Sequence, residues 1–495
     1  MTTPDTDSSL RYRACLARDA RFDGRFVVGV ATTGIYCRPV CPARKPRAEN
    51  CRFFDHPAQA EQAGFRPCLR CRPERAAAVI GRLPSGDLNG QLAEAAAQAI
   101  DQGALERGSL VELARHIGVS PRHLRRLFQR VYGVSPQAWA LTQRLLTARR
   151  LLADTPLPIT EVAALAGFGS LRRFNALFLK RYGIPPSRLR RESPASRGAT
   201  TMTLQASYRP PLAWSALRDF LGRRAITGVE RLTDDQGYAR VIRHPDGSLG
   251  WLNTAPAAQG YALHLTLPAH QAARSLDYLR LAHRLFDLDA RIDLIDAHLS
   301  TLTSTAGIRV PGGADGFEVA VRTVVGQVIS LEHARTLLAR LVQAHGDALE
   351  DPAAPAGLSH AFPTATRLAG VAADALTELG LTRMKARAIC HLARAVSDGA
   401  LRLTPEAPLD ATLSALQAIP GIGDWSAQMV AMRALDWPDA WPAGDLVLRR
   451  CVDALGPATD PADWSPWRAY AAMRLWHRAT EPTPVSTHCA AETRS

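Results

Sequence analysis

Four cysteines in two close pairs constrain the front of this chain more than any other feature. Cys37-x3-Cys41 stands in TTGIYCRPVCPA and Cys68-x2-Cys71 in GFRPCLRC, with 26 residues between the pairs. That spacing lets four sulfurs converge on one tetrahedral ion, the soft donor set that zinc prefers. An ion there helps hold together a module with a small apolar core. Reduced structural thiols, a redox pair or an iron–sulfur centre are the other readings; neither a plain structural nor an electron-transfer site needs the arginines that surround these cysteines. Nine cysteines in 495 residues are too few for a disulfide scaffold, and the count is odd. Cys51 falls outside both pairs and reads as a bystander.

The charge is as local as the cysteines. Residues 1–200 carry a net +16 and the remainder −2, and the only lysines are Lys45, Lys180 and Lys385. Around the cysteines stand Arg38, Arg44, Lys45, Arg47, Arg52, Arg66, Arg70 and Arg72. An arginine-rich third on a near-neutral chain fits a phosphate-backbone partner; arginine enrichment from genomic base composition is the bland alternative. No uncharged apolar run of about 18 residues and no signal-peptide core are present, so the expected location is the cytosol, at the nucleoid, without a membrane partner. The length suggests three or four folded units.

With these residues in view, TTGIYCRPVCPAR and GFRPCLRC resemble the methyl-accepting N-terminal module of the Ada family. The resemblance implies that Cys37, Cys41, Cys68 and Cys71 bind one Zn2+, and that Cys37 takes a methyl group irreversibly from a DNA methylphosphotriester. Metal ligation keeps a sulfur deprotonated at neutral pH, which such a nucleophile requires.

An approximate repeat follows: LVELARHIGVSPRHLRRLFQRVYGVSP (110–136) and ITEVAALAGFGSLRRFNALFLKRYGIPP (159–186). Each reads as a short helix, a glycine corner and a second helix ending at Tyr-Gly. In the first copy Leu113, Ala114 and Ile117 face inward, Ser120 caps the next helix and Pro121 opens it. Leu124, Leu127 and Phe128 share one face, which leaves Arg122, His123, Arg125, Arg126 and Gln129 outward. The second copy puts Phe174, Leu177 and Phe178 inside, Ser170 at the cap, and Arg172, Arg173 and Asn175 outside. A solvated helical bundle is the plain alternative, but corner, cap and basic outer face occur twice, as in a helix that enters the major groove. The pair resembles the DNA-binding domain of AraC-type regulators. The sequence does not assign the outward residues to bases or to phosphates.

Residues 203–268 read as strand-rich, with an Asp-Gly turn at Asp246 and Gly247, and helices return after Gln271. GRLPSGDLNG (81–90) and RESPASRGAT (191–200) read as linkers, and the end from about Thr483 as a frayed tail. In LSALQAIPGIGDWSAQMVAMRAL (413–435) a helix, a Pro-Gly-Ile-Gly hairpin and a second helix succeed one another. Gly421 and Gly423 let backbone amides approach a phosphate, the helix adds its positive end, and hairpin carbonyls can hold a monovalent or divalent cation. In WPAGDLVLRRC (441–451) Asp445 opens a new helix; it reads as an N-cap, and beside a phosphate clamp also as an acid able to stabilise a sugar cation.

Hairpin, Asp-started helix and the aromatic WSPWRAYAAMRLWH resemble the helix-hairpin-helix DNA glycosylases, in which the aspartate at the place of Asp445 is catalytic. YRPPLAW (208–214), GADGFEVAVRTVVGQVISL (313–331) and FPT (362–364) narrow the resemblance to the AlkA-type 3-methyladenine glycosylase II. It implies a base pocket lined by Gln327, Trp425 and Trp476, whose aromatic walls suit a cationic alkylated purine. Gln327, in an apolar helix, needs a polar partner that pocket or nucleic acid would provide. Lyase-competent relatives carry lysine at the place of Trp425, so the enzyme is expected to be monofunctional. Met429 and His477 depart from the family's aromatic pattern and leave the range of bases open.

The resulting expectation is a multidomain α+β chain: a zinc-binding methyl acceptor (1–80), an all-α domain with two helix-turn-helix motifs (88–190), an antiparallel β accessory domain (203–290) and an all-α helix-hairpin-helix glycosylase domain (291–483). The expected function is a methylphosphotriester-sensing transcriptional activator fused to a glycosylase for alkylated purines, with double-stranded DNA and RNA polymerase as partners. A regulator whose rear half is a non-catalytic DNA scaffold is the rival, and an enzyme merely targeted by its front half a third reading. The Pro-Cys-His-Arg active site of the second Ada methyltransferase is absent, so repair of O6-methylguanine is not expected.

Overall fold

The computed structural model describes residues 4–76, 88–101, 103–191 and 199–480. The cores of the two linker readings and the terminal tail lie outside these residues.

Behind the helix Pro4–Ala17, a four-stranded sheet runs Cys51–Phe54, Val27–Val30, Ile35–Cys37, Arg66–Pro67 from edge to edge. The first three strands pair antiparallel and the last parallel, with Val28 opposite both Cys37 and Phe53. The apolar core is thin: Ala14, Cys15, Phe26 and Val28 on one side, Val27, Tyr36, Ala60 and Phe65 on the other. A Cβ at Gly29 would stand 2.9 Å from the Phe54 and Phe65 rings, so a side chain there would displace the packing.

The helix-turn-helix pair follows the expected punctuation. Ser120 Oγ accepts from His123 N at 3.2 Å and Ser170 Oγ from Arg173 N at 3.4 Å, while Gly118 and Gly167 turn the corners at φ +80° and +78°. A corner at that φ strongly favours glycine. Helix Pro136–Asp154 is the spine between two cores, Leu124, Phe128 and Trp139 towards one motif and Leu151, Phe174 and Phe178 towards the other. Each fully buried Phe contributes roughly 2–3 kcal/mol through area removed from water.

The zinc module is not a bead on a string. Glu61 accepts from Tyr36 Oη at 3.1 Å, pairs with Arg181 at 2.6 Å and accepts from Thr142, which ties the strand bearing Cys37 to the spine and to the second motif. Arg149 of the spine, 1% exposed, meets Glu74 at 2.6 Å and donates to the Leu69 carbonyl at 3.0 Å, within the Cys68–Cys71 loop. His56 stacks on Trp139 with centroids 3.4 Å apart, and burial pushes its pKa down to about 3, which keeps the ring neutral.

In the rear half an antiparallel sheet has the order Thr201–Ser207, Ala262–Pro268, Leu249–Pro256, Tyr238–Arg243, Glu230–Leu232. The segment expected to be strand-rich is interrupted by a helix, Trp214–Gly222. Prolines 210 and 211 cannot donate to a ladder and end the strand, after which Leu217, Phe220 and Leu221 bury a helical stripe that no alternating pattern announces. This sheet packs with the C-terminal helices in one core, and helices from Gly316 to Ala434 form a second. A buried ion network joins sheet to helix Gly316–Gly326: Arg240 meets Glu230 at 3.1 Å and Glu318 at 2.9 Å, and Arg322 meets both acids. Burial opposes the ionisation of Glu230, but Arg322 and Arg240 outweigh it and hold its pKa at about 2. The second helix-turn-helix core extends into this half through Met202, Ala272 and Leu276, and Arg75 reaches Gln205 at 2.9 Å.

Candidate active site and nucleic-acid interface

The four sulfurs of Cys37, Cys41, Cys68 and Cys71 lie within 4.8 Å of one another. A tetrahedron with Zn–S of about 2.3 Å has edges of roughly 3.8 Å, so the donor set fits zinc. Cys41, Cys68 and Cys71 are buried and Cys37, at the end of its strand, is the more open. Two of the nearby arginines face inward instead of toward a phosphate. Arg38 pairs with Asp23, its Nε 2.8 Å from Oδ1, and donates to the Cys71 carbonyl at 3.1 Å, while its backbone N–H points at Cys71 Sγ at 3.4 Å. Arg72 pairs with Glu74 and Asp154, each at 2.8 Å. Arg44, Arg47, Arg52, Arg66 and Arg70 remain exposed.

On the outer faces of the two second helices, Arg122, Arg125, Arg126, Arg172, Arg173 and Asn175 are exposed, and His123 is half-buried with its Nδ1 3.1 Å from an Arg126 nitrogen.

The rear site is built on helix ends. Helix Leu409–Gln417 leads into Pro420–Gly423, and helix Asp424–Ala434 leaves it. Gly421 turns at φ +94° with Ala388 close by, whereas a Cβ at Gly423 would meet nothing, which leaves that backbone open to an approaching group. Asp445 caps helix Leu446–Leu455: its Oδ1 accepts from Val447 N and Leu448 N, both at 3.0 Å. The same carboxylate also lies between two indoles, with Trp476 Nε1 3.2 Å from Oδ1 and Trp425 Nε1 3.4 Å from Oδ2. Four N–H groups thus fix one half-buried carboxylate, and the N-cap reading is compatible with a further role. Trp425 rests against Gly444, where a Cβ would stand 3.4 Å away. Met429 lies one turn beyond Trp425, and His477 follows Trp476; both are half-buried.

Gln327 lies just past a helix end and not within a helix. Helix Gly316–Gly326 ends before it, and its amide donates to the Gly421 carbonyl at 2.9 Å and to Ser426 Oγ at 2.8 Å. Its partners are therefore within the protein, and it ties this helix end to the hairpin. Between them opens a groove of about 700 Å3 that includes Val328, Met384 and Trp425. Val328 was not singled out from the sequence. It is fully exposed at φ +56°, although valine is apolar and β-branched. The available signal is Ser330, which caps helix Leu331–His345 and so requires the preceding helix to end before it. Arg224 packs nearby. It lies 3.7 Å from the Phe220 ring centroid, and burial, with Arg433 and Arg223 nearby, draws its pKa down to about 9 against the attraction of Asp445.

Comparison with known proteins follows this geometry along the chain. Four family models match in order: the metal binding domain of Ada (residues 10–74), a helix-turn-helix domain (113–192), the AlkA N-terminal domain (202–315) and the HhH-GPD superfamily of base excision DNA repair proteins (321–465). The chain is 36% identical over 490 residues to the "Probable bifunctional transcriptional activator/DNA repair enzyme AlkA" of Mycobacterium tuberculosis, covering 95% of this chain and 96% of that one. The chain belongs to this family. It is also 32% identical over 275 residues to DNA-3-methyladenine glycosylase 2 of Escherichia coli, which covers 55% of this chain and 95% of the relative. To the bifunctional transcriptional activator/DNA repair enzyme Ada of the same organism it is 42% identical over 158 residues, 32% of this chain and 42% of the relative. Among the described residues no helix is long and apolar enough to cross a membrane.

Proposed function

We propose that the protein is an alkylation-damage responder in which a methylphosphotriester-sensing transcriptional activator is fused to a monofunctional glycosylase for alkylated purines such as 3-methyladenine. The observation that carries the enzymatic half is the Asp445 carboxylate between the Trp425 and Trp476 N–H groups, at the N-terminus of helix Leu446–Leu455, one helix downstream of the hairpin; a mere DNA scaffold would need only the hairpin. Its working parts are taken as residues 1–80, 88–190, 203–290 and 291–483.

In the front part Cys37, Cys41, Cys68 and Cys71 would hold Zn2+, which keeps their sulfurs deprotonated when bound. Cys37 Sγ attacks the methyl carbon of a methylphosphotriester: the S–CH3 bond forms, the O–CH3 bond breaks, and the phosphate oxygen leaves with the electron pair as an ordinary phosphodiester. Lost thiolate charge weakens repulsion from DNA and strengthens promoter binding through Arg122, His123, Arg125, Arg126, Arg172, Arg173 and Asn175. RNA polymerase is the partner an activator then needs.

In the rear part the hairpin amides around Gly421 and Gly423 grip the backbone, with its carbonyls as a seat for a cation. Val328 enters the stack where the damaged base leaves it, as apolar wedges do. The purine turns toward Trp425 and Trp476, with Gln327, Met429 and His477 shaping the pocket wall. Alkylation at N3 or N7 has already activated the leaving group: the C1′–N9 bond breaks, its electrons neutralise the purine, and Asp445 stabilises the developing oxocarbenium until water adds at C1′ and releases a proton. Lys385, the one lysine of this half, donates its ammonium to two backbone carbonyls, consistent with hydrolysis without a Schiff base.

Zinc-loaded full chain incubated with methylated duplex tests both halves. Peptide mapping should find one methyl group on Cys37, none after C37S, and chromatography should find free alkylpurine. Methyl transfer to another cysteine removes the first assignment, and absence of free base removes the second.

A further inference from the structure

Lys385 takes no part in the reaction just described, yet it is built into the site. Its side chain is buried, 6% exposed, and Nζ donates to the Val325 carbonyl at 2.8 Å and the Gln327 carbonyl at 2.7 Å. Both acceptors belong to the C-terminus of helix Gly316–Gly326, where carbonyls lack intrahelical partners and the helix end favours a cation. The next residue is Val328, held at φ +56°, a conformation that a β-branched side chain adopts only when its surroundings enforce it.

The helix that carries Lys385, Arg383–Ser397, also supports the hairpin. Thr382 caps it, and Met384 and Ala388 stand against Gly421. From the other side Gln327 bonds to the Gly421 carbonyl and to Ser426. The exposed valine and the phosphate-gripping hairpin are thereby joined through two side chains, and one of them is a buried ammonium.

We propose that Lys385 is a positioning residue for base flipping: its ammonium, bridging the carbonyls on either side of Gly326, holds Val328 extruded at a fixed distance from the hairpin. The proposal rests on the reading of Val328 as the wedge. Nζ is committed to the backbone, so Lys385 acts on the stack through Val328 and not on C1′. Methionine at 385 keeps the length of the side chain and removes both donors. Val328 then relaxes out of the left-handed region, and the cost of unstacking is no longer offset by a side chain inserted in the gap.

The test is a double-mutant cycle in the full chain, read as single-turnover base release from an alkylated duplex and as fluorescence of 2-aminopurine beside the lesion. V328A and K385M should each slow release and reduce the flipped fraction about tenfold, while V328A adds little once K385M is present. An oligonucleotide with no partner strand needs no wedge, so on it K385M should release base at the wild-type rate. Additive losses on duplex would overturn the positioning role while leaving the wedge intact. V328A without effect in the wild-type background removes the wedge itself, and the role of Lys385 with it. A borohydride-trapped adduct on Lys385 would also overturn the proposal. Should K385M lose its cooperative melt, K385R, which keeps charge and donors on a different reach, is carried through the same cycle and must show the same coupling to V328A.

Discussion

Replacing Arg149 by Met should loosen the zinc loop from outside the zinc module. The guanidinium is 1% exposed and pairs with Glu74, whose side chain is equally buried, and it is a donor to the Leu69 carbonyl between Cys68 and Cys71. Methionine fills a similar volume and supplies no donor. Breaking a buried pair from one side costs about 3–5 kcal/mol, because the remaining charge stays desolvated. Arg72 still meets Glu74 at 2.8 Å, which places the expected loss near the lower end, at about 3 kcal/mol. At roughly 2–4 °C per kcal/mol, the front unit should melt about 6–12 °C lower. Circular dichroism measures the melt, and a chromogenic chelator measures zinc release, which should accelerate about tenfold if the loop loses about 1.4 kcal/mol of support. The double variant R149M/E74Q should recover part of the stability, since both ends of the pair are then neutral. If R149M melts with the wild type and releases zinc at the same rate, the zinc module is not docked on the spine helix through this pair.

Burial pushes the Asp287 carboxyl up to about 7, despite Arg309, so the folded state keeps a proton that the unfolded chain gives up near pH 4. Stability should fall as pH rises from about 4 to about 7 and stay lowered above, by up to about 4 kcal/mol; D287N should therefore gain over the wild type at pH 8 and not at pH 4 in chemical denaturation. R126A in the full chain should weaken DNA binding and, if the side chain meets a phosphate, lower the salt slope by about 1; titrations at several salt concentrations read both. W476F removes the N–H that stands 3.2 Å from Asp445 and should slow base release about tenfold, equivalent to about 1.4 kcal/mol, with an unchanged melt.

Local chemistry made much of this molecule readable in its residues. The cysteine pairs, the serine caps at Ser120 and Ser170 and the hairpin are short-range features, and each stands where spacing put it. What remained hidden depends on partners far away in the chain. Arg38 and Arg72 look like phosphate ligands until Asp23 and Asp154 are found beside them, and nothing near Arg149 announces Glu74, 75 residues earlier. The helix Trp214–Gly222 was obscured because a short apolar stripe inside a strand-rich region admits either period. Gln327 reads as part of a continuous helix because the residues flanking it in VVGQVIS are apolar. The turn at Val328 breaks that run, and the Lys385 ammonium that meets the carbonyls of Val325 and Gln327 comes from 58 residues further on, where no local pattern reveals it.

The central claim is that Asp445 supplies the charge on which base release depends. Single-turnover release from alkylated duplex, run for wild type and D445N and followed by a gel with and without alkali, tests it most directly. Asn keeps the size of the side chain and loses the charge, so D445N should still bind an abasic-site analogue yet release base about 10²–10³-fold more slowly, the scale of one lost electrostatic contact to a transition state. The wild-type strand should remain intact until alkali cleaves it. D445N releasing base at the wild-type rate would contradict the assignment.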